Sequence, residues 1–190
     1  RMEIDQEILE KFTVVDNTFR DVVVLDNFLA EDEFKKLQDL IVMNPDFPLY
    51  FQKEVNDSGD TCESTYWNWY QVHTIIKDDT VYSKHFNMFK DLFIERFKQL
   101  NIYRAIMRIK INMYPYSNNI HEHARHIDYP YKHKGALFSL NTCDGFTKLY
   151  DGTKIDSVAN RMMFFDPSTD HNSSTTTNAG ARYNINFNFL

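Results

Sequence analysis

Polar and apolar residues alternate without a break through the segment Arg182-Tyr183-Asn184-Ile185-Asn186-Phe187-Asn188-Phe189. Successive side chains of a β-strand point to opposite faces of a sheet, so this alternation predicts a strand with one apolar face and one polar face. The pattern is equally compatible with two interpretations of the polar face. Either the segment is an edge strand whose polar side faces water, or the polar row lines a hydrated barrel mouth and Arg182 points at an anion.

The sequence upstream of this segment predicts more strands. Polar and apolar residues also alternate over residues 104–114, which indicates a half-buried strand. Turn residues separate further short strand candidates at 136–140, 146–150 and 161–165. Many short strands at such spacing favour a sandwich or barrel over a parallel α/β sheet.

The first half of the chain adds one short strand and two helices to this prediction. Residues 22–25 form an apolar strand candidate. From Glu31, an acidic run followed by apolar positions at helical spacing predicts a helix. A second amphipathic helix is predicted over residues 83–100, and its buried stripe consists of Phe86, Phe89, Phe93 and Phe97. The predicted class is therefore mainly β with flanking helices (α+β).

Length and charge limit the class of protein. The chain has 190 residues and a net charge of -6. The length fits a single domain over residues 2–190, with helical support mainly over 30–100 and a barrel core mainly over 103–190. The negative charge argues against general nucleic-acid binding.

The sequence also predicts a soluble, cytoplasmic protein. No apolar run reaches a membrane-spanning length and no charged-then-apolar signal opens the chain, so we expect no membrane association. Cys62 and Cys143 match neither metal-ligand spacing nor a disulfide framework. Two free thiols in a reducing compartment are expected.

The strongest chemical signal is the tripeptide His126-Ile127-Asp128. Of the seven histidines, only His126 has a carboxylate two residues downstream. On an extended segment these two side chains project to the same side and can share one ligand. Two imidazoles and one carboxylate on one face of a metal leave three positions open, as non-haem Fe(II) requires to activate oxygen. His171 offers the second imidazole, and Arg182 could hold a carboxylate-bearing co-substrate by a two-pronged contact.

Other histidines compete for a role in this site. His121 and His123 form a second pair on one face and could offer an alternative metal site. Because no third ligand stands at a recognisable position, we expect both to be pocket-rim or solvent-facing residues. His133 lies in a lysine-flanked loop and is expected at the surface.

Four more residues receive structural or peripheral roles. His73 and His85 stand in aromatic surroundings and are expected to be packed or exposed rather than catalytic. Arg161 competes with Arg182 as the co-substrate clamp, but its place before an apolar run suits a structural ion pair better. Arg125, beside His126, is expected at the rim of the site, where it could touch a substrate.

Several short pieces of the chain occur together in the order of one known family. The pieces are Met113-Tyr114-Pro115, His126-Ile127-Asp128, Phe138-Ser139-Leu140-Asn141, Gly145-Phe146-Thr147-Lys148-Leu149-Tyr150, Asn160-Arg161-Met162-Met163-Phe164-Phe165, His171 and Arg182-Tyr183-Asn184-Ile185-Asn186-Phe187. With them, residues 113–190 resemble the iron- and 2-oxoglutarate-dependent dioxygenases, specifically their prolyl 4-hydroxylase branch. Each piece is weak alone, but the ordered set is specific.

This resemblance implies a fold and a site. The fold is a double-stranded β-helix, a cupin-like jelly-roll barrel of two antiparallel sheets with the N-terminal helices packed outside. Fe(II) would be bound by His126, Asp128 and His171. Arg182 would bind the distal carboxylate of 2-oxoglutarate, and Tyr114 would line the co-substrate pocket. Ser139 departs from the family, because some relatives carry there a tyrosine that contributes to 2-oxoglutarate binding.

The resemblance also implies an activity. With O2 as oxidant, such a site hydroxylates an unactivated C–H bond and releases succinate and carbon dioxide. The branch indicates a prolyl residue of a peptide or protein, and an extended proline-bearing chain suits the aromatic stretches Tyr66-Trp67-Asn68-Trp69-Tyr70 and Tyr129-Pro130-Tyr131. Two alternatives stay open: a hydroxylase of a free amino acid or other small molecule, and a non-catalytic jelly-roll binding module. The sequence leaves the oligomeric state open.

Overall fold

A large antiparallel sheet dominates the computed structural model, which describes residues 4–11, 13–16, 22–55 and 66–190. The strands in chain order are β1 (Thr13–Asp16), β2 (Val23–Asp26), β3 (Tyr50–Gln52), β4 (Tyr70–Lys77), β5 (Thr80–Val81), β6 (Ile106–Pro115), β7 (Lys134–Ser139), β8 (Phe146–Lys148), β9 (Lys154–Asp156), β10 (Arg161–Phe165), β11 (Asn172–Ser173) and β12 (Ala181–Phe189). The large sheet runs in the order β1-β2-β10-β7-β12-β6-β4-β3, with β5 beside β4, and a smaller sheet runs β11-β8-β9. These two antiparallel sheets confirm the mainly β, double-stranded β-helix architecture.

Short helices accompany the strands. They are α1 (Gln6–Leu9), α2 (Glu31–Ile41), α3 (Phe86–Phe89), a π-helical turn (Lys90–Ile94) and α4 (Glu95–Gln99). Helix α2 begins at the acidic run, and the Glu33 side chain accepts a hydrogen bond of 3.2 Å from the backbone N–H of Ala30. Both predicted helices are therefore present, although the second contains a π-helical turn.

The main hydrophobic core lies between the helices and the outer face of the large sheet. Phe89, Phe93 and Phe97 from the second helical segment are fully buried there, and Phe86 packs against the same core from its edge. The sheet contributes alternate residues of its central strands to this core, among them Ile185 and Phe187. The predicted phenylalanine stripe is thus confirmed as core, and the helices lie outside the barrel.

Strand β12 lies in the middle of the large sheet, between β6 and β7. Its polar row faces away from the main core, yet Arg182, Asn184 and Asn188 are buried. The smaller sheet covers this row, since an Nη2–H of Arg182 donates a hydrogen bond of 2.9 Å to the Oγ1 of Thr147 on β8. The edge-strand interpretation is therefore wrong, and the polar row lines the inside of the barrel.

The range 30–100 supplies strands as well as the expected helices. Strand β4 pairs with β6 and extends the large sheet. A register irregularity between Thr74 and Ile76 leaves both Ile75 and Ile76 buried. Such a bulge interrupts the period-two alternation, which explains why the pattern did not predict this strand.

The structure bears on the expected free cysteines and on the expected lack of membrane-spanning helices. Cys143 is a buried free thiol, whereas Cys62 lies outside the described ranges. Among the described helices, none combines the length and the apolar character that a bilayer crossing requires.

Candidate active site

His126 and His171 face each other across an isolated antiparallel bridge. The backbone N–H of His126 donates to the carbonyl of His171, and the N–H of His171 donates to the carbonyl of His126, both at 3.0 Å. This reciprocal pairing fixes the two Cα positions, and the imidazole centroids lie 4.5 Å apart. The main chain therefore brings together two residues that are distant in sequence.

The side chains of these histidines converge on Asp128. The Nε2 of His126 lies 3.4 Å and the Nε2 of His171 lies 3.5 Å from the Oδ1 of Asp128. Neighbouring ligand atoms on one metal ion, at bonds of about 2.1 Å, are about 3 Å apart, so a small adjustment lets all three bind one ion. Among the described residues, these three form the one group of at least three metal-ligating side chains.

The outer nitrogens of both imidazoles face backbone carbonyls. The Nδ1 of His171 lies 2.9 Å from the carbonyl oxygen of Thr169, and the Nδ1 of His126 lies 3.4 Å from that of Ala124. When Nδ1–H donates to a carbonyl, the lone pair is on Nε2, the atom that faces Asp128. The tautomers favoured by these contacts are therefore the ones that a metal needs.

Polar groups hold the second oxygen of Asp128. Its Oδ2 accepts hydrogen bonds from the side-chain amides of Asn188 (2.7 Å) and Asn186 (3.2 Å), and the Nη2 of Arg108 lies 3.4 Å away. Burial would by itself raise the pKa of Asp128, but the adjacent imidazoles of His126 and His171 and the charge of Arg108 hold this pKa well below its ordinary value. Asp128 is therefore a fixed carboxylate that presents Oδ1 to the histidines.

Arg108 and His133 in turn contact the side chain of Asn188. The Nε–H of Arg108 donates to the Asn188 Oδ1 at 3.0 Å, and the Asn188 Nδ2 lies 3.1 Å from the Nε2 of His133. His133 is 5% exposed, so its expected surface position is wrong. A polar loop residue can be buried where hydrogen bonds satisfy it, and the Nδ1 of His133 lies 2.8 Å from the carbonyl of Tyr131.

Arg182 lies at the other end of the same polar row and is 1% exposed. Its Nη1 donates to the carbonyl of Ser174 at 3.2 Å and its Nη2 to Thr147, whereas its Nε has no partner. Within the described ranges, no carboxylate forms an ion pair with it. Burial lowers the pKa of Arg182, although arginine stays protonated in proteins. A buried cation without a counter-charge is suited to bind an anion.

A glycine makes room for Arg182. A Cβ atom on Gly145 would lie 2.7 Å from the Cδ of Arg182 and 2.8 Å from the carbonyl oxygen of Thr175. Both distances are shorter than ordinary contacts between such atoms, so a larger residue would displace the arginine. Gly145 therefore contributes to the site without touching a ligand.

Tyr114 is buried beside Arg182. Its ring lies 5.5 Å from the guanidinium carbon and stacks on Tyr70, with the centroids 5.6 Å apart. Burial raises the pKa of the Tyr114 phenol, which forms a hydrogen bond with Ser173. Its position is compatible with the pocket-lining role that the resemblance implied.

In the second histidine pair, His123 is more deeply buried than a solvent-facing residue would be, whereas His121 is partly exposed as expected. His123 is 3% exposed, its Nδ1 lies 2.7 Å from the Oγ of Ser173 and its Nε2 has no partner. Burial, together with the charge of Arg182, lowers the pKa of His123 to about 3. A solvent-facing His123 is therefore wrong. His121 is partly exposed, and its ring stacks on Trp67 with the centroids 4.6 Å apart.

The remaining candidates are found outside the polar row. Arg161 makes a two-pronged ion pair with Asp26, at 2.7 and 3.0 Å, as expected of a structural residue. Arg125 is exposed, and its Nη1 lies 3.4 Å from the carbonyl of Tyr150. His73 is buried between Pro48 and Ser83, with its two ring nitrogens each 2.7 Å from an oxygen of these residues.

One cavity lies along the middle of the row. Its lining residues are Asn112, Tyr114, His126, Leu137, Thr147, Phe165, His171, Ser173, Asn184 and Asn186. The cavity thus contacts two of the three metal-ligating candidates and Thr147, which holds Arg182. Phe165 forms part of its wall and packs edge-on against His171, with the centroids 5.1 Å apart. A small anionic molecule bound here could reach both a metal and the guanidinium.

Sequence reasoning missed the residues behind this site, namely Arg108, Asn186, Asn188, His133, Thr147 and Gly145. A signal for two of them was present, since Asn186 and Asn188 belong to the same alternating row as Arg182. Because the pattern left open whether that row faces water, their role stayed undetermined.

Solved structures share this fold. A prolyl hydroxylase from Trichoplax adhaerens, in complex with a peptide fragment of the hypoxia inducible factor oxygen degradation domain, is 20% identical with a TM-score of 0.59 over 89% of this chain and 83% of that chain. A prolyl-4-hydroxylase from Pseudomonas putida is 14% identical with a TM-score of 0.57 over 96% and 95% of the two chains. The non-heme alpha-ketoglutarate-dependent epimerase SnoN from nogalamycin biosynthesis is 10% identical with a TM-score of 0.65 over 98% and 84%.

No protein-family profile matches the sequence, and no curated protein sequence matches it. At identities of 20% or less the likeness to the solved structures is one of fold. As a likeness of fold, this agreement confirms the resemblance to prolyl hydroxylases and to other 2-oxoglutarate oxygenases.

Proposed function

We propose that this protein is an Fe(II)- and 2-oxoglutarate-dependent dioxygenase. His126, Asp128 and His171 would hold the iron, and Arg182 would bind the distal carboxylate of 2-oxoglutarate, with Tyr114 beside it. The observation that carries the proposal is one cavity lined by two histidines of a converging His-Asp-His donor set and by Thr147 and Tyr114. These last two residues contact Arg182, a buried arginine without a counter-charge. When bound, iron and 2-oxoglutarate supply the oxidising chemistry, which consumes O2 and yields succinate, carbon dioxide and a hydroxylated C–H position.

The residues of the chain bind and orient the reactants. Asn188, Asn186 and Arg108 hold Asp128 so that one oxygen faces the metal position. Thr147 and Ser174 hold the guanidinium of Arg182 through its Nη atoms. Tyr114 and Phe165 give the cavity apolar walls, which limit water and strengthen electrostatic contacts inside it.

The finer proposal is that the substrate is a prolyl residue of a peptide or protein. It is supported by the resemblance to the prolyl 4-hydroxylase branch and by the fold shared with two prolyl hydroxylases. Exposed apolar side chains near the metal-ligating candidates also favour a chain-like substrate, namely Ile127, Tyr131 and Tyr150. Ile127 lies between two of the proposed ligands, and the carbonyl of Tyr150 contacts Arg125.

We also propose that residues 2–190 act as one domain. Strand β2, from the N-terminal part, pairs with β10 of the barrel and belongs to the same large sheet. The helical segments share their hydrophobic core with the central barrel strands.

Anaerobic titration followed by turnover tests the activity. The purified protein should bind one Fe(II) per chain, then 2-oxoglutarate, and on exposure to O2 should form succinate and a product that is one oxygen atom heavier. Mass spectrometry of proline-containing peptides and of free proline identifies the oxidised partner. Failure to bind Fe(II) or 2-oxoglutarate would refute the activity, and oxidation of free proline alone would refute the peptide substrate.

A further inference from the structure

A lysine lies in the inward-facing row of β6, between Arg108 and Asn112. Lys110 is paired across the sheet with Asn186, whose amide donates to the Oδ2 of Asp128. Directly opposed residues on neighbouring antiparallel strands have their Cβ atoms about 5 Å apart. Lys110 therefore lies across the sheet from a residue that holds the proposed iron ligand Asp128.

The ammonium group of Lys110 makes only weak contacts, both with Tyr70. Its Nζ lies 3.5 Å from the hydroxyl of Tyr70 and 5.4 Å from the centre of that ring. An ammonium can donate three hydrogen bonds, and in the described part of the chain no carboxylate comes within ion-pair distance of this one. The residue as a whole keeps some solvent exposure, so a ligand can reach it, although its ammonium group is largely desolvated.

Asp128 attracts Lys110 from beyond ion-pair distance, whereas the charges of Arg108 and Lys77 oppose it. Arg108 in the same row already contacts Asp128 and Asn188. Burial, reinforced by the neighbouring charge of Arg108, lowers the pKa of Lys110 to about 8, so most molecules still carry the charge at neutral pH. A poorly solvated cation without an anion is costly, and an anionic ligand removes that cost.

The proposed co-substrate does not account for this lysine. 2-Oxoglutarate would use one carboxylate at the metal and the other at Arg182, which is at the opposite end of β12 from Asn186 and Asn188. Iron would add further positive charge beside Lys110. The inside of the barrel would therefore keep an unpaired cation after both cofactor molecules have bound.

We propose that Lys110 binds a carboxylate of the substrate and that the site selects substrates carrying this group close to the carbon that is oxidised. This inference rests on the proposed function and narrows its substrate class. The carboxylate could belong to an acidic side chain near a proline, to the C-terminus of a peptide or to a free amino acid. The shared chemistry is a carboxylate at short range from the metal.

Selection by binding, without turnover, tests this proposal. The parent protein is loaded with Fe(II) and 2-oxoglutarate without O2 and is mixed with peptides that carry a central proline, randomised flanks and either a free or an amidated C-terminus. Retained peptides are sequenced by mass spectrometry, and L-proline is compared with L-prolinamide by calorimetry. We expect acidic or free-carboxylate ligands to be favoured about tenfold or more over their amide counterparts, as one charged hydrogen bond provides.

Charge variants identify the residue responsible. Lys110→Met should lose the preference for carboxylates, Lys110→Arg should keep it, and Lys110→Glu should favour lysine- or arginine-containing peptides. Lys98→Met is the matched control, because Lys98 is exposed and pairs with Glu95 on α4. Affinity for 2-oxoglutarate should be the same in Lys110→Met as in the parent.

Three results would overturn the proposal. The first is that the parent retains acids and amides equally. The second is that Lys110→Met keeps the preference for carboxylates. The third is that Lys110→Met loses affinity for 2-oxoglutarate, which would assign the lysine to the co-substrate. Failure of the proposed function is seen earlier, since Fe(II) or 2-oxoglutarate would then fail to bind before any peptide is added. The amidated and free-terminus peptides, with the proline pair, distinguish the three sources of the carboxylate.

Discussion

The Asp128 carboxylate and the Arg182 guanidinium lie at opposite ends of the polar row on β12, and they differ in how completely their hydrogen-bonding atoms are satisfied. At one end, the Oδ2 of Asp128 accepts hydrogen bonds from Asn186 and Asn188 and lies near Arg108. At the other end, the Nε of Arg182 and the Nε2 of His123 are buried without partners. A satisfied end holds its geometry before any ligand arrives, whereas the end with unpaired donors gains its missing partners from a ligand. Under the proposed function, the first end would hold the metal ion and the second would bind the anionic co-substrate.

The largest effect should follow from removing a ligand at the satisfied end. We expect His126→Ala and His171→Ala each to lower Fe(II) affinity by more than about a hundredfold, beyond the loss typical of groups behind the ligands. The fold should persist, because the bridge between these residues is made by backbone atoms. Anaerobic Fe(II) titration with circular dichroism measures both properties. His85→Ala is the control, and full iron occupancy in the two ligand variants would make the assignment wrong.

A change at the unsatisfied end should separate binding from stability. Arg182→Met removes the proposed partner of the distal carboxylate, so 2-oxoglutarate binding should weaken by about 2–5 kcal/mol. In the absence of 2-oxoglutarate the melting temperature should stay the same or rise, because an unpaired buried cation is replaced by an apolar side chain.

Arg161→Met provides the opposite result for comparison. Loss of its two-pronged contact with Asp26 should lower the melting temperature and leave 2-oxoglutarate affinity unchanged. Calorimetric titration and thermal denaturation of both variants measure these effects. Equal 2-oxoglutarate affinity in Arg182→Met and the parent would move the clamp to another residue.

A smaller effect is expected behind the metal ligands. Asn188→Ala removes the 2.7 Å hydrogen bond to Asp128 and the contact with His133. Fe(II) affinity should fall roughly 10–100-fold, the usual range for groups that orient ligands. The same titration measures it, with exposed Asn87→Ala as the control. Unchanged affinity would mean that Asp128 is held by Arg108 and Asn186 alone.

The smallest effect concerns pH and the buried His123. The pKa of His123 is about 3 in the folded protein, against an ordinary value of 6.5. In the window between these two pH values the unfolded chain binds a proton at His123 that the folded chain does not. The free energy of unfolding should therefore fall as pH falls, by at most about 1.4 kcal/mol per pH unit from this group. His123→Gln should show a shallower slope in chemical denaturation across the window. Identical slopes would contradict a neutral, buried His123.

Local sequence patterns were sufficient for the residues that interact with near neighbours or alternate along one strand. The spacing of His126 and Asp128 predicted their common side, and the alternation around Arg182 predicted its strand. The partner of His126, His171, came from the family resemblance, because the bridge between them joins distant parts of the chain. Arg161 was recognised as structural from the apolar run that follows it.

The supporting residues could not be predicted in the same way, since cross-strand register determines them. Asn188 reaches Asp128 because β12 pairs with β6 and β7 in one particular register. His123 was assigned to the rim or solvent for want of a third metal ligand, and His133 to the surface because lysines flank it. Hydrogen bonds made only in the folded state allow both to be buried. Whether the row on β12 faces water depends on the smaller sheet, which no local pattern describes.

The reciprocal backbone pairing of His126 and His171 bears on how such a site tolerates evolutionary change. Main-chain hydrogen bonds are made by every residue except proline at the donor position, so they do not depend on which side chains surround them. Substitutions at intervening positions can accumulate while the two imidazoles keep their spacing. Selection then has to preserve only a few side chains, and the rest of the barrel can change in sequence while its backbone fold is kept.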